Sequence, residues 1–261
     1  MSNSWDFRAP AGSVLMTDAL RAMQAELPDA TFRVLSATTL FSSRLAAGPL
    51  GIDVEMLRKS GAAAQFRARV SADGSGEVAN ETLATFVQDR SGLDFTDSAP
   101  PDVPPPDAAP QFSARVPYRE GPPPRFFANV ESRLALGHDW WSPGWQAGPA
   151  RFARWFRYKR PQRLPDGRLD PLAIPPLADT MPPSIVQKLG PGFEPFVAPS
   201  LDLTVHFLGD TPKEWLLVHA HTRRVRGGTA SADVEIWDDE QRLIAYGTQT
   251  MMLRKPPLKR E

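Results

Sequence analysis

The stretch Ser200–Arg254, SLDLTVHFLGDTPKEWLLVHAHTRRVRGGTASADVEIWDDEQRLIAYGTQTMMLR, decides the fold of this chain. It contains four runs in which a largely apolar set of residues recurs at every second position. The alternating positions are Leu201, Leu203, Val205 and Phe207; Leu216, Val218, Ala220 and Thr222; Ala230, Ala232, Val234 and Ile236; and Leu243, Ala245, Gly247, Gln249, Met251 and Leu253. Because side chains along a strand point alternately to its two faces, this period predicts four strands, each with one face in a core. Turn residues separate the runs at Gly209-Asp210, Gly227-Gly228 and 238–241.

One residue breaks this alternation. Gln249 occupies a position on the otherwise apolar face of the last run. An uncharged amide in such a place either fills a hydrogen-bonding gap in the core or serves a functional site.

Composition excludes several classes of protein. The 261 residues suffice for one large domain or two small ones, and the formal net charge of zero argues against a nucleic-acid surface. The chain has no cysteine, which excludes disulfides and thiolate metal sites. The N-terminal sequence MSNSWDFRAPAG lacks the basic start and apolar run of a signal peptide, and no apolar run reaches membrane-spanning length. We therefore expect a cytoplasmic protein without membrane or nucleic-acid partners.

The first part of the chain repeats the organising stretch. Ala11–Ala25 has the apolar spacing of an amphipathic helix, and Thr31–Gln88 follows it. Phe41 aligns with Phe207 at an offset of 166 (207 − 41), and the same offset aligns Arg58 with Arg224, Gly61 with Gly227, Ala79 with Ala245 and Thr82 with Thr248. One ungapped register across several strands indicates an internal duplication.

The region between the two copies is rich in proline and aromatic residues. Asp89–Arg125 has no hydrophobic period, so it predicts an extended linker and not a packed element. Within Phe126–Lys159, we expect Ala150–Tyr158 to form a strand paired with Phe127–Leu136. The many large aromatic residues of this region predict core and subunit-contact material, with substrate stacking as the alternative. The predicted domains are residues 1–92, a linker at 93–125, and residues 126–261.

A second helix is expected over Asp170–Leu189, with an apolar stripe at Ile174, Leu177, Met181 and Ile185. Pro182-Pro183 must kink or end it, because proline lacks a backbone donor and clashes with the preceding turn. At the offset of 166, Asp179 aligns with Ser13. Each half is therefore predicted to be a helix followed by a curled antiparallel sheet.

This α+β pattern resembles the double hotdog fold, in which two copies of a central helix are each wrapped by a curled antiparallel sheet. The C-terminal half resembles the bacterial type II acyl-CoA thioesterases through LADTMPP, APSLDLTVHF, EWLL and LIAYGTQTMMLR. The resemblance covers about Ala150–Lys255 and, more weakly, Ala11–Gln88. The first half is shorter than in the family before its helix.

The resemblance implies an acyl-CoA substrate, no cofactor, a homo-oligomer, and a water held by three polar side chains. Carried over residue by residue, these are Asp179 on the helix, Ser200 in place of the family's threonine, and Gln249 on the last strand. A thioester needs no covalent nucleophile: a carboxylate can act as the base, while a hydroxyl and an amide fix the water. The other interpretations are an exposed helix carboxylate, a plain strand residue and a core glutamine.

The repeat supplies an argument of its own. At the same offset, the first-half counterparts of the three residues are Ser13, Val34 and Leu83, and the last two can neither accept a proton nor bind water. If the polar groups served the scaffold, both copies would need them. We therefore expect one working site per chain, with the first half supplying pocket walls.

Other candidate residues remain as alternatives. His219 and His221 share a strand face, yet no third ligand has metal-site spacing. Arg223, Arg224 and Arg226 form a basic cluster that is either a solvated turn or a contact for coenzyme A phosphates. The hypothesis is hydrolysis of acyl-CoA by an activated water; the alternative is a non-catalytic acyl-binding or scaffold protein of the same fold.

Overall fold

The computed structural model of the chain describes residue 5 and residues 11–27, 29–111 and 124–256. The strands are β1 (Arg33–Phe41), β2 (Leu50–Lys59), β3 (Ala63–Ala72), β4 (Val78–Val87), β5 (Val130–Leu136), β6 (Arg151–Tyr158), β7 (Ser200–Phe207), β8 (Leu216–Arg226), β9 (Thr229–Asp238) and β10 (Leu243–Met252). The helices are α1 (Gly12–Ala25), α2 (Ile174–Ala178) and α3 (Pro183–Leu189), and short 3-10 turns cover Arg125–Ala128 and Pro171–Ala173.

All the strands join in one antiparallel sheet of ten, in the order β2-β3-β4-β1-β7-β10-β9-β8-β6-β5. The four strands predicted within Ser200–Arg254 are confirmed as β7 to β10, and the predicted pairing of β5 with β6 is confirmed. The turn between β8 and β9 consists of Gly227 (φ 57) and Gly228 (φ 78). Two successive residues at positive φ suit the right-handed twist of the flanking strands, and only glycine adopts that backbone without strain.

The internal duplication appears as a local two-fold axis between β1 and β7. Thr38 lies opposite Thr204, and their hydroxyl oxygens are 2.9 Å apart. Ser36 lies opposite His206, and Leu40 lies opposite Asp202. The offset of 166 relates Ser36 to Asp202 and Leu40 to His206, so the two-fold axis converts one pair into the other. The two halves therefore meet at equivalent strands, and with the helices on the inner face this is a double hotdog architecture.

The offset changes by one residue at the last strand of each half. Ala37 lies opposite Ala84 in the first half, and its counterpart Leu203 lies opposite Gln249 in the second. The counterpart of Gln249 is thus Ala84, and the prediction of Leu83 was wrong: Leu83 is 49% exposed on the outer face. The cause is the hairpin before this strand, which spans residues 73–77 in the first half and the shorter 239–242 in the second.

The second helical segment begins at Pro171 and breaks between α2 and α3, as Pro182-Pro183 predicted. Asp179 follows α2 in the middle of this segment, whereas Ser13 is the second residue of α1. Residues 6–10, which precede α1, lie outside the described residues, so the equivalence of Asp179 and Ser13 stays a prediction.

The linker packs against the sheet, contrary to the prediction of an unpacked connector. Val103 and Ala109 lie against a cluster that includes Trp155, Trp215 and Trp237 on the outer face. Trp155 Nε1 donates to the Pro104 carbonyl at 2.9 Å, and Arg133 donates to the Pro106 carbonyl at 2.7 Å. Exposed tryptophans on an outer sheet face need a cover, and an extended proline-rich segment provides one without regular structure. Residues 112–123 of the predicted linker lie outside the described residues.

The aromatic segment is accommodated within the chain. Phe152 and Phe156 point to the inner face of β6, Trp155 lies under the linker, and Trp145 is buried as well. These four residues are therefore core, because the segment supplies two faces of the sheet, whereas Trp140 and Trp141 stay partly exposed. Assembly into a homo-oligomer stays a prediction. No helix in the described part of the chain has the length and apolar character needed to cross a membrane.

Candidate active site

Three polar side chains from separate elements meet on the inner face of the sheet. Asp179 lies at the break between α2 and α3, Ser200 opens β7, and Gln249 lies on β10. β7 and β10 are neighbours in the sheet, and Ser200 pairs with Met251, two residues from Gln249. The proline break supports the arrangement, because it ends α2 at the point where the carboxylate faces these strands.

The three residues named from the sequence form one hydrogen-bonded set. Ser200 Oγ donates to Asp179 Oδ1 at 2.9 Å, and Gln249 Nε2 donates to the same oxygen. Gln249 Nε2 also lies 2.8 Å from Ser200 Oγ, to which it donates. A carboxylate oxygen can only accept, so these contacts fix the amide nitrogen toward Asp179.

The oxygen of the Gln249 amide lacks a hydrogen-bond donor within the described part of the chain. Gln249 is 2% exposed, and its Oε1 has no hydrogen-bond partner among the described residues. A buried acceptor without a donor is costly, so native proteins rarely keep one unless water or a ligand satisfies it. The site therefore has a hydrogen-bond acceptor available for a water molecule beside Asp179.

Ser13 is a neighbour of the set that sequence reasoning did not place there. It is fully buried in the first turn of α1, and both its hydroxyl and its backbone N–H lower the pKa of Asp179. The hydroxyl oxygen has no hydrogen-bond partner of its own among the described residues. α1 has no side-chain cap at its N-terminus, and the Ser13 N–H in its first turn lies beside the carboxylate, at the positive end of the helix dipole.

Two kinds of effect shift the pKa of the Asp179 carboxyl in opposite directions. Burial is the largest effect and raises the pKa of the carboxyl above its ordinary value. The hydrogen bonds from Ser200 and Gln249 and the neighbouring Ser13 oppose that rise, and the contribution of Ser200 is the largest of the three. Desolvation disfavours the charged form, whereas donors stabilise it, and here the raising effect is the larger.

The arrangement provides a base and fixed polar groups, but it lacks metal ligands. No group of histidine, aspartate and glutamate within the described ranges is placed to hold a metal ion. His219 lies 3.3 Å from Glu235 on β9, on the outer face of the sheet, a contact that the sequence did not predict. The equivalent first-half positions, Val34 and Ala84, are apolar and buried.

An open groove of ≈ 370 Å³ lies over β9 and β10 on the outer face. Its lining includes Arg223, Asp233, Tyr246 and Thr248. Arg223 is paired with Asp233, one nitrogen lying 3.0 Å from a carboxylate oxygen. Gln249 is also among the lining residues, but its amide hydrogen-bonds to Asp179 and Ser200 on the inner face, so the groove lies on the other side of the sheet from the three site side chains.

Comparison with known protein families finds a matching domain for each half of the chain. The acyl-CoA thioesterase N-terminal domain matches residues 1–87, and the acyl-CoA thioesterase C-terminal domain matches residues 97–253. A comparison with curated protein sequences finds no match.

Solved structures share the fold at low sequence identity. A hotdog-fold protein of unknown function from Alicyclobacillus acidocaldarius is 24% identical with a TM-score of 0.81, over 98% of this chain and 92% of the other. A putative thioesterase from Novosphingobium aromaticivorans is 23% identical with a TM-score of 0.77, over 97% and 93%. An acyl-CoA thioesterase II, TesB2, from Mycobacterium marinum is 24% identical with a TM-score of 0.72, over 94% and 89%.

Proposed function

Because the chain belongs to the acyl-CoA thioesterase family and is therefore a thioester hydrolase, we propose that it cleaves acyl-CoA to free acid and coenzyme A by direct attack of water. Asp179 is the base, and Ser200 and Gln249 position the water. The water oxygen bonds to the thioester carbon, its proton passes to Asp179, and the coenzyme thiolate leaves and is protonated. No covalent intermediate with the protein is needed, since the thioester is already activated.

The observation that carries this proposal is the unpartnered Gln249 Oε1 next to a shared hydrogen-bond set on Asp179 Oδ1. A water molecule can donate one hydrogen to Gln249 Oε1 and the other to the carboxylate. Its oxygen lone pair is then directed away from both, toward a bound carbonyl carbon. Fixing the attacking group in this way lowers the entropic part of the barrier.

The first turn of α1 supports a further part of the mechanism. As the carbonyl is attacked, negative charge develops on its oxygen, and backbone N–H donors stabilise that charge more in the transition state than in the substrate. The uncapped N-terminus of α1, with the Ser13 N–H beside Asp179, offers such donors. We assign the carbonyl oxygen to this helix end.

The test is a coupled thiol-release assay over acyl-CoA esters of increasing chain length. Gln249→Ala removes the positioning amide and leaves the base, so we expect kcat to fall by roughly 10- to 100-fold, less than for loss of Asp179. Leu83→Ala on the outer face of β4 is the control and should retain parent turnover. Release of no thiol from any ester would contradict the proposal and favour an acyl-binding protein without turnover.

A further inference from the structure

A second group of buried polar side chains lies on the inner face of the first half. Thr39 and Thr82 are fully buried and satisfy each other, with their hydroxyl oxygens 2.8 Å apart. Asn80, one position along the inner face of β4, is 1% exposed. Neither its Oδ1 nor its Nδ2 has a hydrogen-bond partner among the described residues.

The internal repeat shows that the scaffold does not require these groups. Asn80 lies opposite Phe41, and the equivalent pair in the second half is Ala245 opposite Phe207. Thr39 opposite Thr82 corresponds to Val205 opposite Gly247. The same sheet is thus built in the second half with apolar residues at all three positions.

Keeping Asn80 is costly for stability. An amide buried without partners loses its bonds to water and gains nothing in return, and strands disfavour asparagine in addition. Such groups in native proteins call for an explanation, such as a functional role or an ordered water. Ser13 Oγ and Gln249 Oε1 are in the same condition in the described structure.

A chain of contacts links Asn80 to the candidate active site. Phe41, opposite Asn80, touches the backbone of Gly12: a Cβ added there would lie 2.6 Å from Phe41 Cε1. The next residue, Ser13, lies beside Asp179. In the sheet, Leu40 is opposite Asp202, so the end of β1 lies next to the start of β7. Two strand spacings separate Asn80 from Ser200, roughly 10 Å.

We propose that Asn80 binds a hydroxyl group on the acyl chain of the substrate and selects hydroxylated acyl-CoA esters. The inference rests on the proposed function, which supplies the acyl-CoA. An amide presents a donor and an acceptor side by side, and a hydroxyl can satisfy both by accepting from Nδ2 and donating to Oδ1.

Burial favours the acyl chain over the coenzyme as the source of that hydroxyl. Asn80 lies within the apolar core of the first half, opposite Val70 on β3, which is fully buried. The alkyl part of the substrate belongs in such surroundings, whereas the charged coenzyme does not. Met16 and Met23 on α1 belong to the same core, and their flexible side chains can repack around a chain.

The experiment compares acyl-CoA esters of equal length with and without one hydroxyl, at successive positions along the chain. A site built to hydrogen-bond a hydroxyl rejects the analogue that lacks it, so the parent should prefer a hydroxylated ester. Asn80→Ala, which copies Ala245, should lower the ratio of kcat/KM for the best hydroxylated ester to that for the plain ester by roughly 10- to 100-fold. Leu83→Ala, on the outer face of the same strand, is the matched control and should keep the parent ratio.

The thermal stability of Asn80→Leu tests the inference independently of enzyme kinetics. An amide that awaits a substrate leaves the free protein strained, so an apolar residue of similar size should raise Tm; a lowered Tm would identify Asn80 as a structural residue. Equal losses on both esters, or an unchanged ratio, would overturn the role of Asn80 and leave the hydrolysis intact. A parent protein that cleaves neither ester would contradict the proposed function, and this inference with it.

Discussion

Two opposing effects set the pKa of the Asp179 carboxyl. Burial raises the pKa of its carboxyl, whereas hydrogen bonds from Ser200 and Gln249 and the nearby Ser13 lower it. A base must be deprotonated to accept a proton from water, so its pKa has to stay below the working pH. In the proposed mechanism, the donors that position the water therefore also stabilise the charged form of the carboxylate.

The pH dependence of hydrolysis follows from this balance. Below the pKa of Asp179 the carboxyl is protonated, so kcat/KM should fall as pH is lowered through a value above that of an ordinary aspartate. Ser200→Ala removes the largest pKa-lowering contact, and the acid limb of the profile should move to higher pH. An acid limb that stays in place, or moves to lower pH, would show that Asp179 is not the group that titrates.

At the scale of elements, the N-terminus of α1 brings the first half into the second half's site. Its placement depends on Gly12, since the position of a Cβ there coincides with the ring of Phe41 at 2.6 Å from Cε1. A larger residue must push α1 or Phe41 aside, and the Ser13 N–H moves with the helix.

Gly12→Ala tests this placement. We expect kcat to fall about tenfold, from the displaced donors, and stability to fall by about 1–3 kcal/mol, from overpacking. Thiol release and urea unfolding measure the two effects. Gly61→Ala is the control, because nothing lies within 4 Å of a Cβ at that position. Parent activity in Gly12→Ala would remove α1 from the mechanism.

The sequence was sufficient for elements whose pattern is local. Alternation predicted β7 to β10, and the prolines predicted the break at Asp179. Gln249 was detectable because it interrupts an apolar face. Ser13 was not, since its position near Asp179 depends on how two helices cross. Leu83 was misassigned because a single offset cannot detect one extra hairpin residue, and that residue moves every side chain to the other face.

At the scale of the molecule, the two halves contribute to one sheet but differ in the residues at the candidate site. The second half has Ser200 and Gln249 where the first has Val34 and Ala84. The second half also has β5 and β6 before its helix, and the described sheet ends at β2 of the first half and at β5 of the second. In the proposed mechanism, duplication supplied one half for catalysis and left the other free to shape the pocket.

This asymmetry predicts one binding event per chain. Calorimetric titration with a non-hydrolysable thioether analogue of acyl-CoA should give a stoichiometry of one. The double variant Val34→Ser with Ala84→Gln should not add a second site, because Ser13, which aligns with Asp179 at the offset of 166, carries no carboxylate. Two equivalent sites in the parent would contradict the asymmetric account.

The most direct test of the central claim is the turnover of Asp179→Asn on the best acyl-CoA ester. Asparagine keeps the size of the side chain and an oxygen that can accept from Ser200 and Gln249, but it cannot take a proton from water. Binding comes from the rest of the substrate, so we predict that kcat falls by roughly two to four decades while KM changes little. Near-parent kcat in this variant would contradict water activation by Asp179 and reduce the hydrogen-bonded set to a structural feature.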